Sequence, residues 1–368
     1  MTGGGDQRAG GWGLGGESLA LFDADLVPAA AAVAGTPEGV VTRPSRTASA
    51  AAERGPTLLA VDGNALVHRA FHAYGATTGG ARYGFFALLS VVCDQVGYDG
   101  LVIGFDCRIH STRRAAYPEY KAQRPDKHEQ LEASLDELPT IAADLGVHVI
   151  VAEGWEADDV VASAAAVAEA AGWRCVVASP DRDVLGLISR MTSVLQIRGG
   201  DQPVRHVTAR DFRRRHRITP EQYLQLAALR GDSSDNLPGI AGIGAKKAAA
   251  LLRLYATVDD AVADPMGCRS VLGPELGQAL IDDVTAPSSV FRRNVELMAL
   301  RRDLPVELDD CRRRGHPDRI LAELRRWRMT GLHARLCAAL CPQDGGIGGD
   351  ADAPPVGDAD APPERPFD

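Results

Sequence analysis

Three carboxylates fall within four residues of this chain, at Glu156, Asp158 and Asp159. A largely apolar run, residues 160–171, follows directly and has the length of a helix. Acids in the first turn of a helix can simply cap free N–H groups and complement the helix dipole. Capping would explain one or two of these acids. Acids at other positions of the chain, however, follow the same pattern and call for a second explanation.

Four short apolar runs each lead into acidic residues, which is typical of buried parallel strands in an α/β sheet. The runs are residues 58–61, 101–105, 147–151 and 175–179. The acids that follow them are Asp62, Asp106, Glu156, Asp158, Asp159, Asp181 and Asp183. Because ligands bind beyond the carboxyl ends of such strands, we expect these acids to meet. Crowded carboxylates need cations, and sites built from oxygen ligands suit Mg²⁺ or Mn²⁺.

Length and composition limit the classes of protein that the chain can belong to. Its 368 residues, 45% of them hydrophobic, suffice for one large or two modest domains. No apolar run is long enough to span a membrane, and the N-terminal region lacks the pattern of a signal peptide. The seven cysteines include no C-x-x-C pair. Reduced thiols in a cytoplasm are therefore expected, without a zinc site or a disulfide framework.

The net charge of −9 is concentrated at the two ends of the chain. Residues 343–368 carry −6 and residues 1–50 carry −2, which leaves −1 for residues 51–342. If nine acids of that central region are metal ligands, the rest of it carries about +8. An acidic centre on a basic surface suits a metal-dependent enzyme that acts on phosphates.

Residues 108–127 are rich in cations and contain two tyrosines. The cations are Arg108, Arg113, Arg114, Lys121, Arg124 and Lys127, and Tyr117 and Tyr120 lie among them. A run of charge is usually only a solvated surface. Here it follows a candidate metal ligand directly and has the arginine and lysine content that phosphate contacts require. We therefore expect this segment to contact nucleic acid.

Later segments give weaker signals. Glycines at 239, 242 and 244 precede a helix with lysines in its first turn, an arrangement that suits either a phosphate site or a tight turn between helices. The basic run at residues 213–217 fits a nucleic-acid contact and a solvated helix end equally well. Residues 319–340 predict a last amphipathic helix.

Five blocks of this sequence, in order and spacing, resemble the 5′–3′ exonucleases of the bacterial and phage flap-nuclease group. That group includes the N-terminal nuclease domain of bacterial DNA polymerase I. The blocks are Val61-Asp62-Gly63-Asn64 with Arg69-Ala70-Phe71, Phe105-Asp106 with Arg113, Tyr117, Tyr120-Lys121 and Arg124, Gly154-Trp155-Glu156-Ala157-Asp158-Asp159, Ser179-Pro180-Asp181-Arg182-Asp183, and Gly231-Asp232 with Asp235-Asn236-Leu237-Pro238-Gly239 and Gly242-Ile243-Gly244. The resemblance covers residues 57–308, with a weaker echo at residues 319–340.

The resemblance implies an α/β fold with a PIN-like parallel sheet flanked by helices. Residues 57–212 would form this catalytic domain, with a helical arch at about 108–128. Residues 213–342 would form a C-terminal helical DNA-binding subdomain of the helix-hairpin-helix type, with its turn at about 231–252. We expect residues 1–56 to be a disordered extension and residues 343–368 a disordered acidic tail.

The resemblance also assigns roles to individual residues. One metal ion would be held by Asp62, Asp106, Glu156 and Asp158, and a second by Asp159, Asp181, Asp183 and Asp235, with Asp232 nearby. Lys121 and Arg124 would be the catalytic cations at the scissile phosphate. The DNA contacts would be Arg113, Tyr117, Tyr120, Gly242, Gly244, Lys246 and Lys247, with a monovalent cation such as K⁺ at the 239–244 turn.

The expected function is that of a stand-alone 5′–3′ exonuclease of double-stranded DNA that also cleaves 5′ flaps with two metal ions. The alternatives are a PIN-type ribonuclease and a non-catalytic protein that binds DNA structures. The expected partners are DNA with a 5′ end, nick or flap, and a DNA polymerase or ligase. We expect a monomer in the cytoplasm, associated with the nucleoid and not with a membrane.

Overall fold

The computed structural model describes residues 55–75, 79–198 and 204–342. The predictions of disorder at residues 1–56 and 343–368 fall outside this range, apart from Gly55 and Pro56. Within the described residues, no helix is both long enough and apolar enough to cross a membrane.

A six-stranded sheet forms the centre of the molecule. Its strands are β1 (Thr57–Asp62), β2 (Gly100–Phe105), β3 (His148–Val151), β4 (Arg174–Ala178), β5 (Thr192–Ile197) and β6 (Val204–Val207). Their order is β3-β2-β1-β4-β5-β6, and every neighbouring pair is parallel except β5 and β6. All four apolar runs are thus confirmed as parallel strands, and their carboxyl ends share one edge of the sheet.

Helices flank this sheet and form the C-terminal region. Those in the first part of the chain are α1 (Gly63–Tyr74), α2 (Gly80–Asp94), α3 (Thr112–Ala116), α4 (Glu129–Asp144), α5 (Ala157–Ala170) and α6 (Ala209–His216). Those that follow are α7 (Tyr223–Arg230), α8 (Ala245–Leu252), α9 (Val258–Ala263), α10 (Pro265–Leu272), α11 (Pro274–Thr285), α12 (Val290–Met298), α13 (Pro317–Arg326) and α14 (His333–Leu340). A two-stranded ribbon, β7 (Gly231–Asp232) with β8 (Leu237–Pro238), precedes α8.

The sheet is buried on both faces because successive side chains of a strand point to opposite sides. In β1, Leu58 and Ala60 join the core that includes α5 and most of the C-terminal helices. Leu59 and Val61 join the core formed with α1, α2 and α4. A strand buried on both faces is held firmly, so the acids at its end have a fixed position.

The predicted helical arch at residues 108–128 is wrong in form. Only α3 is helical there, and turns at residues 118–123 follow it. Pro118 and Pro125 explain this difference, because the residue before a proline is disfavoured in the helical conformation. Lys121 has a left-handed backbone with φ 56°. The segment at residues 117–124, which we call the strap, is therefore compact.

The single last helix predicted at residues 319–340 is also wrong in form. The structure has two helices there, α13 and α14, and a short 3₁₀ turn at Thr330–Leu332 lies between them. Arg328 has a left-handed backbone with φ 57°, which ends α13. The expected apolar face remains, since Leu324 and Leu336 are both fully buried.

Candidate active site

The strand ends bring the predicted acids to one edge of the sheet. Asp62 is the last residue of β1, and the hydroxyl of Ser179, just after β4, donates a hydrogen bond of 2.8 Å to its Oδ2. Asp106 follows β2, and its Oδ1 accepts a 2.8 Å hydrogen bond from the backbone N–H of Ala157 at the start of α5. These bonds join neighbouring strand ends, as the parallel order predicts.

The first group of acids is crowded and short of positive charge. Burial raises the pKa of Asp62 to about 7, and the nearby carboxylates of Asp106 and Asp181 add to the effect. Burial also raises the pKa of Asp106, with repulsion from Glu156 as the next cause. The pKa of Asp158 lies well above its ordinary value because of burial and repulsion from Glu156. Each of these carboxylates would be stabilised by a cation.

A second group lies beside it and contains Asp181, Asp183, Asp232 and Asp235. Burial raises the pKa of Asp183 to about 8, and repulsion from Asp181, Asp232 and Asp235 contributes. The pKa of Asp181 is raised by burial and by repulsion from Asp235 and Asp232. The two acids after β4 therefore lie close to the two acids around the β7–β8 ribbon. No simple sequence pattern predicts that proximity, since about fifty residues separate them.

The chemistry of these residues fits divalent cations. Asp158 Oδ1 is buried, and no hydrogen-bond partner for it exists among the described residues. The donors are all oxygen atoms, which are the ligands of Mg²⁺ and Mn²⁺. As the side chains lie, no three His, Cys, Asp or Glu residues of the described ranges are arranged to hold a metal ion. Several of the carboxylates are instead paired with cations of the chain.

The strap supplies those cations. Lys121 Nζ lies 2.6 Å from Glu156 Oε1, and Arg124 Nη2 lies 2.6 Å from Asp235 Oδ1. The hydroxyl oxygen of Tyr120 lies 2.9 Å from Glu156 Oε2 and 3.1 Å from Asp235 Oδ2, so its single proton is available to either carboxylate. Although burial opposes it, the charges of Lys121 and then Arg113 lower the pKa of Glu156. Both cations predicted to be catalytic are thus in the site and in contact with candidate metal ligands.

Two family models together cover residues 57–319, which is most of the described part of the chain. The N-terminal resolvase-like domain of the 5′–3′ exonucleases matches residues 57–217, and their C-terminal SAM fold matches residues 218–319. The chain belongs to the 5′–3′ exonuclease family. This assignment covers both the sheet with its acids and the helical region that begins near α7.

Curated relatives of this family member are bacterial DNA polymerases. It is 36% identical over 270 residues to DNA polymerase I of Mycobacterium bovis, a match that covers 71% of this chain and 29% of the polymerase. It is 31% identical over 267 residues to DNA polymerase I of Bacillus caldotenax, covering 70% and 30%. The chain thus spans about 30% of the length of these relatives.

Solved nucleases share the fold of this family member. A T5 5′-exonuclease with bound zinc has a TM-score of 0.54 and 22% identity, covering 77% of this chain and 99% of its own. A bacteriophage T5 flap endonuclease in complex with DNA and metal ions has a TM-score of 0.53 and 21% identity, covering 77% and 99%. Human GEN1 in complex with Holliday junction DNA has a TM-score of 0.52 and 15% identity, covering 78% and 71%.

Asp159 and Arg113 do not have their predicted positions, because they form a buried ion pair. The guanidinium of Arg113 donates to both oxygens of Asp159, at 2.6 and 2.7 Å. Asp159 is fully buried and also accepts a hydrogen bond from the backbone N–H of Arg301 at 2.9 Å. The predictions that Asp159 is a metal ligand and that Arg113 contacts DNA are therefore corrected. The pair instead ties α5 to the C-terminal region.

The two tyrosines of the strap differ from each other. Tyr120 is 3% exposed and directs its hydroxyl into the acid cluster, so its prediction as a DNA contact is corrected. Tyr117 is half-buried, and the guanidinium of Arg293 lies 4.7 Å from its ring centroid. Its role in DNA binding stays a prediction.

The glycine turn presents the start of α8 to solvent. Gly242 is exposed and has φ 79°, a conformation that glycine adopts without strain. Gly244 is the N-cap residue of α8 and offers no side-chain acceptor to the free N–H groups. Lys246 and Lys247 are exposed in the first turn. This geometry suits a phosphate, and the four residues remain predicted DNA contacts.

Sequence reasoning missed the residues that orient the acids. Ser179 donates to Asp62, and the side-chain oxygen of Asn64 accepts a 3.1 Å hydrogen bond from the backbone N–H of Asp106. Both lie directly beside a predicted strand end, which is the signal that could have indicated them. The structural role of Asp159 could also have been predicted. An acid three residues after Glu156 fits a capping box, and the structure shows that capping box.

Proposed function

We propose that this chain hydrolyses phosphodiester bonds of double-stranded DNA from 5′ ends and cleaves 5′ flaps, with two divalent ions, Mg²⁺ or Mn²⁺, as cofactors. The observation that carries the proposal is a cluster of acids with raised pKa values at the carboxyl ends of parallel strands. Such a cluster is costly unless cations neutralise it. Membership of the 5′–3′ exonuclease family supports DNA as the substrate.

The two groups of acids would form the two ligand sets. Asp62, Asp106, Glu156 and Asp158 would hold one ion, and Asp181, Asp183 and Asp235 the other, with Asp232 nearby. Bound divalent ions lower the pKa of a coordinated water and neutralise the charge of a phosphate. The carboxylates hold the cofactors and need not abstract a proton themselves. Asp159 stays outside both sets because its oxygens are taken by Arg113.

Lys121 and Arg124 would exchange their carboxylate partners for the scissile phosphate. Their present ion pairs hold the ammonium group of Lys121 2.6 Å from Glu156 Oε1 and the guanidinium group of Arg124 2.6 Å from Asp235 Oδ1. Preorganised cations stabilise charge that develops in a transition state. A cation that already contacts a ligand carboxylate needs only a small movement to reach a phosphate bound beside it.

The start of α8 would grip duplex DNA at some distance from the cleaved bond. The free N–H groups after Gly244 and the exposed side chains of Lys246 and Lys247 suit backbone phosphates. A monovalent cation such as K⁺ at the 239–244 turn belongs to the same proposal. A monomer suffices, because the described residues of one chain supply both acid groups. Action at the nucleoid beside a DNA polymerase or ligase follows from this substrate class.

The test uses a nicked duplex with a 5′ flap, labelled at the 5′ end of the flapped strand. The wild-type chain in Mg²⁺ should release either one flap-length fragment or short oligonucleotides, and EDTA should stop both. Asp181→Ala should bind this substrate with similar affinity and release no product. Metal-dependent cleavage by Asp181→Ala at the wild-type rate would remove the two-ion assignment.

Two controls separate the alternatives. Asp318→Ala removes an exposed acid on α13, far along the chain from the cluster, and should cleave like the wild type. An RNA strand in the same flapped position tests the ribonuclease alternative. Tight binding of the wild type without cleavage in Mg²⁺ or Mn²⁺ would favour a non-catalytic DNA-binding protein.

A further inference from the structure

A cleft with a volume of about 610 Å³ lies beside the acid cluster. Eight cations from six parts of the fold line it. They are Arg182 after β4, Arg198 after β5, Arg205 on β6, Arg215 and Arg217 at the end of α6, Arg230 on α7, and Lys246 and Arg253 at the two ends of α8. We call this feature the arginine cleft.

The positive charge of the arginine cleft is nearly uncompensated. Asp211 is the acid in its lining, and that carboxylate already accepts from Thr208 and pairs with Arg214 at 3.2 Å. Within the ranges that the structure describes, seven of the eight cations form no ion pair, and Arg230 has a long one of 3.9 Å to Asp232. Burial and then the charges of Arg205 and Arg215 lower the pKa of Arg198.

A simpler explanation accounts for only part of this charge. Cations in the last turn of α6 interact favourably with the helix dipole, and that would explain Arg215. It does not explain Arg198 and Arg205 on the sheet edge, or Arg182 beside the catalytic acids. Like charges brought together from separate elements repel one another, and a polyanion would relieve that repulsion.

The cleft runs from the acid cluster to the start of α8. Arg182 lies between Asp181 and Asp183 in the chain, and Arg230 reaches Asp232. At the other end, Ala245 and Lys246 belong both to the cleft and to the first turn of α8. The cleft therefore connects the two regions to which the proposed function assigns DNA contacts.

We infer that the arginine cleft binds the sugar–phosphate backbone of the DNA between the cleaved bond and the segment held at α8. This inference rests on the proposed function and adds a binding surface to it. Base recognition is not part of it. Phe212 is 1% exposed and its ring stacks on His216 at 4.5 Å, so the aromatic face of the cleft is already covered. Binding there should be independent of sequence and sensitive to salt.

The experiment measures binding of the labelled flapped duplex by fluorescence anisotropy in EDTA at several salt concentrations. The double variant Arg205→Ala with Arg215→Ala removes two phosphate contacts from the cleft. Its affinity at low salt should fall by about 10- to 100-fold, and the slope of log K against log [salt] should decrease by about 2. The rate of cleavage at saturating DNA in Mg²⁺ should stay within about twofold of the wild type, because neither residue contacts the acid cluster.

The matched control removes two exposed arginines of α13, Arg319→Ala with Arg325→Ala, which lowers the net charge equally. Its affinity should stay near that of the wild type. The variant Arg205→Lys with Arg215→Lys should recover most of the salt slope, which a folding defect would not allow. A cleft variant that binds like the α13 control would overturn the inference. A wild-type chain that binds but does not cleave would instead overturn the proposed activity, while the salt slopes would still decide the role of the cleft.

Discussion

Two parts of the candidate active site behave in opposite ways. The rim is formed by the acids with raised pKa values, such as Asp62 and Asp158, and the floor is formed by Asp159 with Arg113. At the rim, Asp158 is buried with a raised pKa, and no described residue forms a hydrogen bond with its Oδ1. At the floor, its neighbour Asp159 has both oxygens paired with Arg113. Successive residues of a helix point about 100° apart, so the two carboxylates face different surroundings. The floor is complete without a ligand, whereas the rim is not.

The largest expected effect is at the floor. Asp159→Ala should lower the free energy of unfolding by about 3–5 kcal/mol, because the guanidinium of Arg113 would be buried without a counter-charge. Urea denaturation in EDTA measures this change. The double variant Asp159→Leu with Arg113→Met should lose less than the sum of Asp159→Leu and Arg113→Met. Additive losses would show that the two residues do not form a coupled pair.

At the rim, the raised pKa of Asp62 should make the free energy of unfolding fall as pH rises. Acids paired with cations, whose pKa values are lowered, have the opposite effect. Asp62 has a pKa of about 7 in the folded chain and 3.8 ordinarily. Between about pH 4 and pH 7 the unfolded chain therefore loses this proton more readily, and in EDTA the free energy of unfolding should fall as pH rises. The contribution is at most about 4 kcal/mol.

Comparison with Asp62→Asn isolates most of this contribution, because the groups outside the acid cluster titrate alike in both proteins. Thermal denaturation between pH 4 and 8 in EDTA gives the difference. The wild type should lose stability relative to Asp62→Asn as pH rises, and saturating Mg²⁺ should reverse that loss. Parallel pH profiles of the two proteins would contradict the raised pKa.

A smaller effect is expected where the strap contacts the rim. Lys121→Ala should slow single-turnover cleavage by about 10²-fold, since a preorganised cation is removed. The affinity for flapped DNA should change only a few-fold. Arg114→Ala is the matched control, because Arg114 is an exposed cation of α3 that makes no described ion pair. An unchanged rate for Lys121→Ala would exclude a catalytic role.

The smallest effect is expected at an exposed ion pair near the floor. Arg301 and Asp303 lie 2.5 Å apart, but their side chains are 44% and 65% exposed. Asp303→Ala should change the free energy of unfolding by about 1 kcal/mol or less, since solvent screens such pairs. A loss as large as that for Asp159→Ala would mean that burial does not distinguish the two regions.

Much of the fold could be predicted because its signals are local. Short apolar runs such as residues 58–61 predict buried strands, and the parallel order then fixes which strand ends meet. The candidate acids at 62, 106, 156 and 158 follow from that order. The strap shows the limit of such reasoning. Its cations were expected to form a helical arch, but two prolines and the contacts of Lys121 with Glu156 produce a compact turn.

The sequence by itself determined which residue types stand at the strand ends, and hence the chemistry available at the site. Only the tertiary structure decided which of the adjacent acids is free, which is paired, and which distant arginines line one cleft. The physical reason is that residue type and spacing set local conformation, whereas charge pairing depends on distance and burial. Arg113 reaches Asp159, and Arg205 and Arg215 line the same cleft, only because the chain folds back on itself.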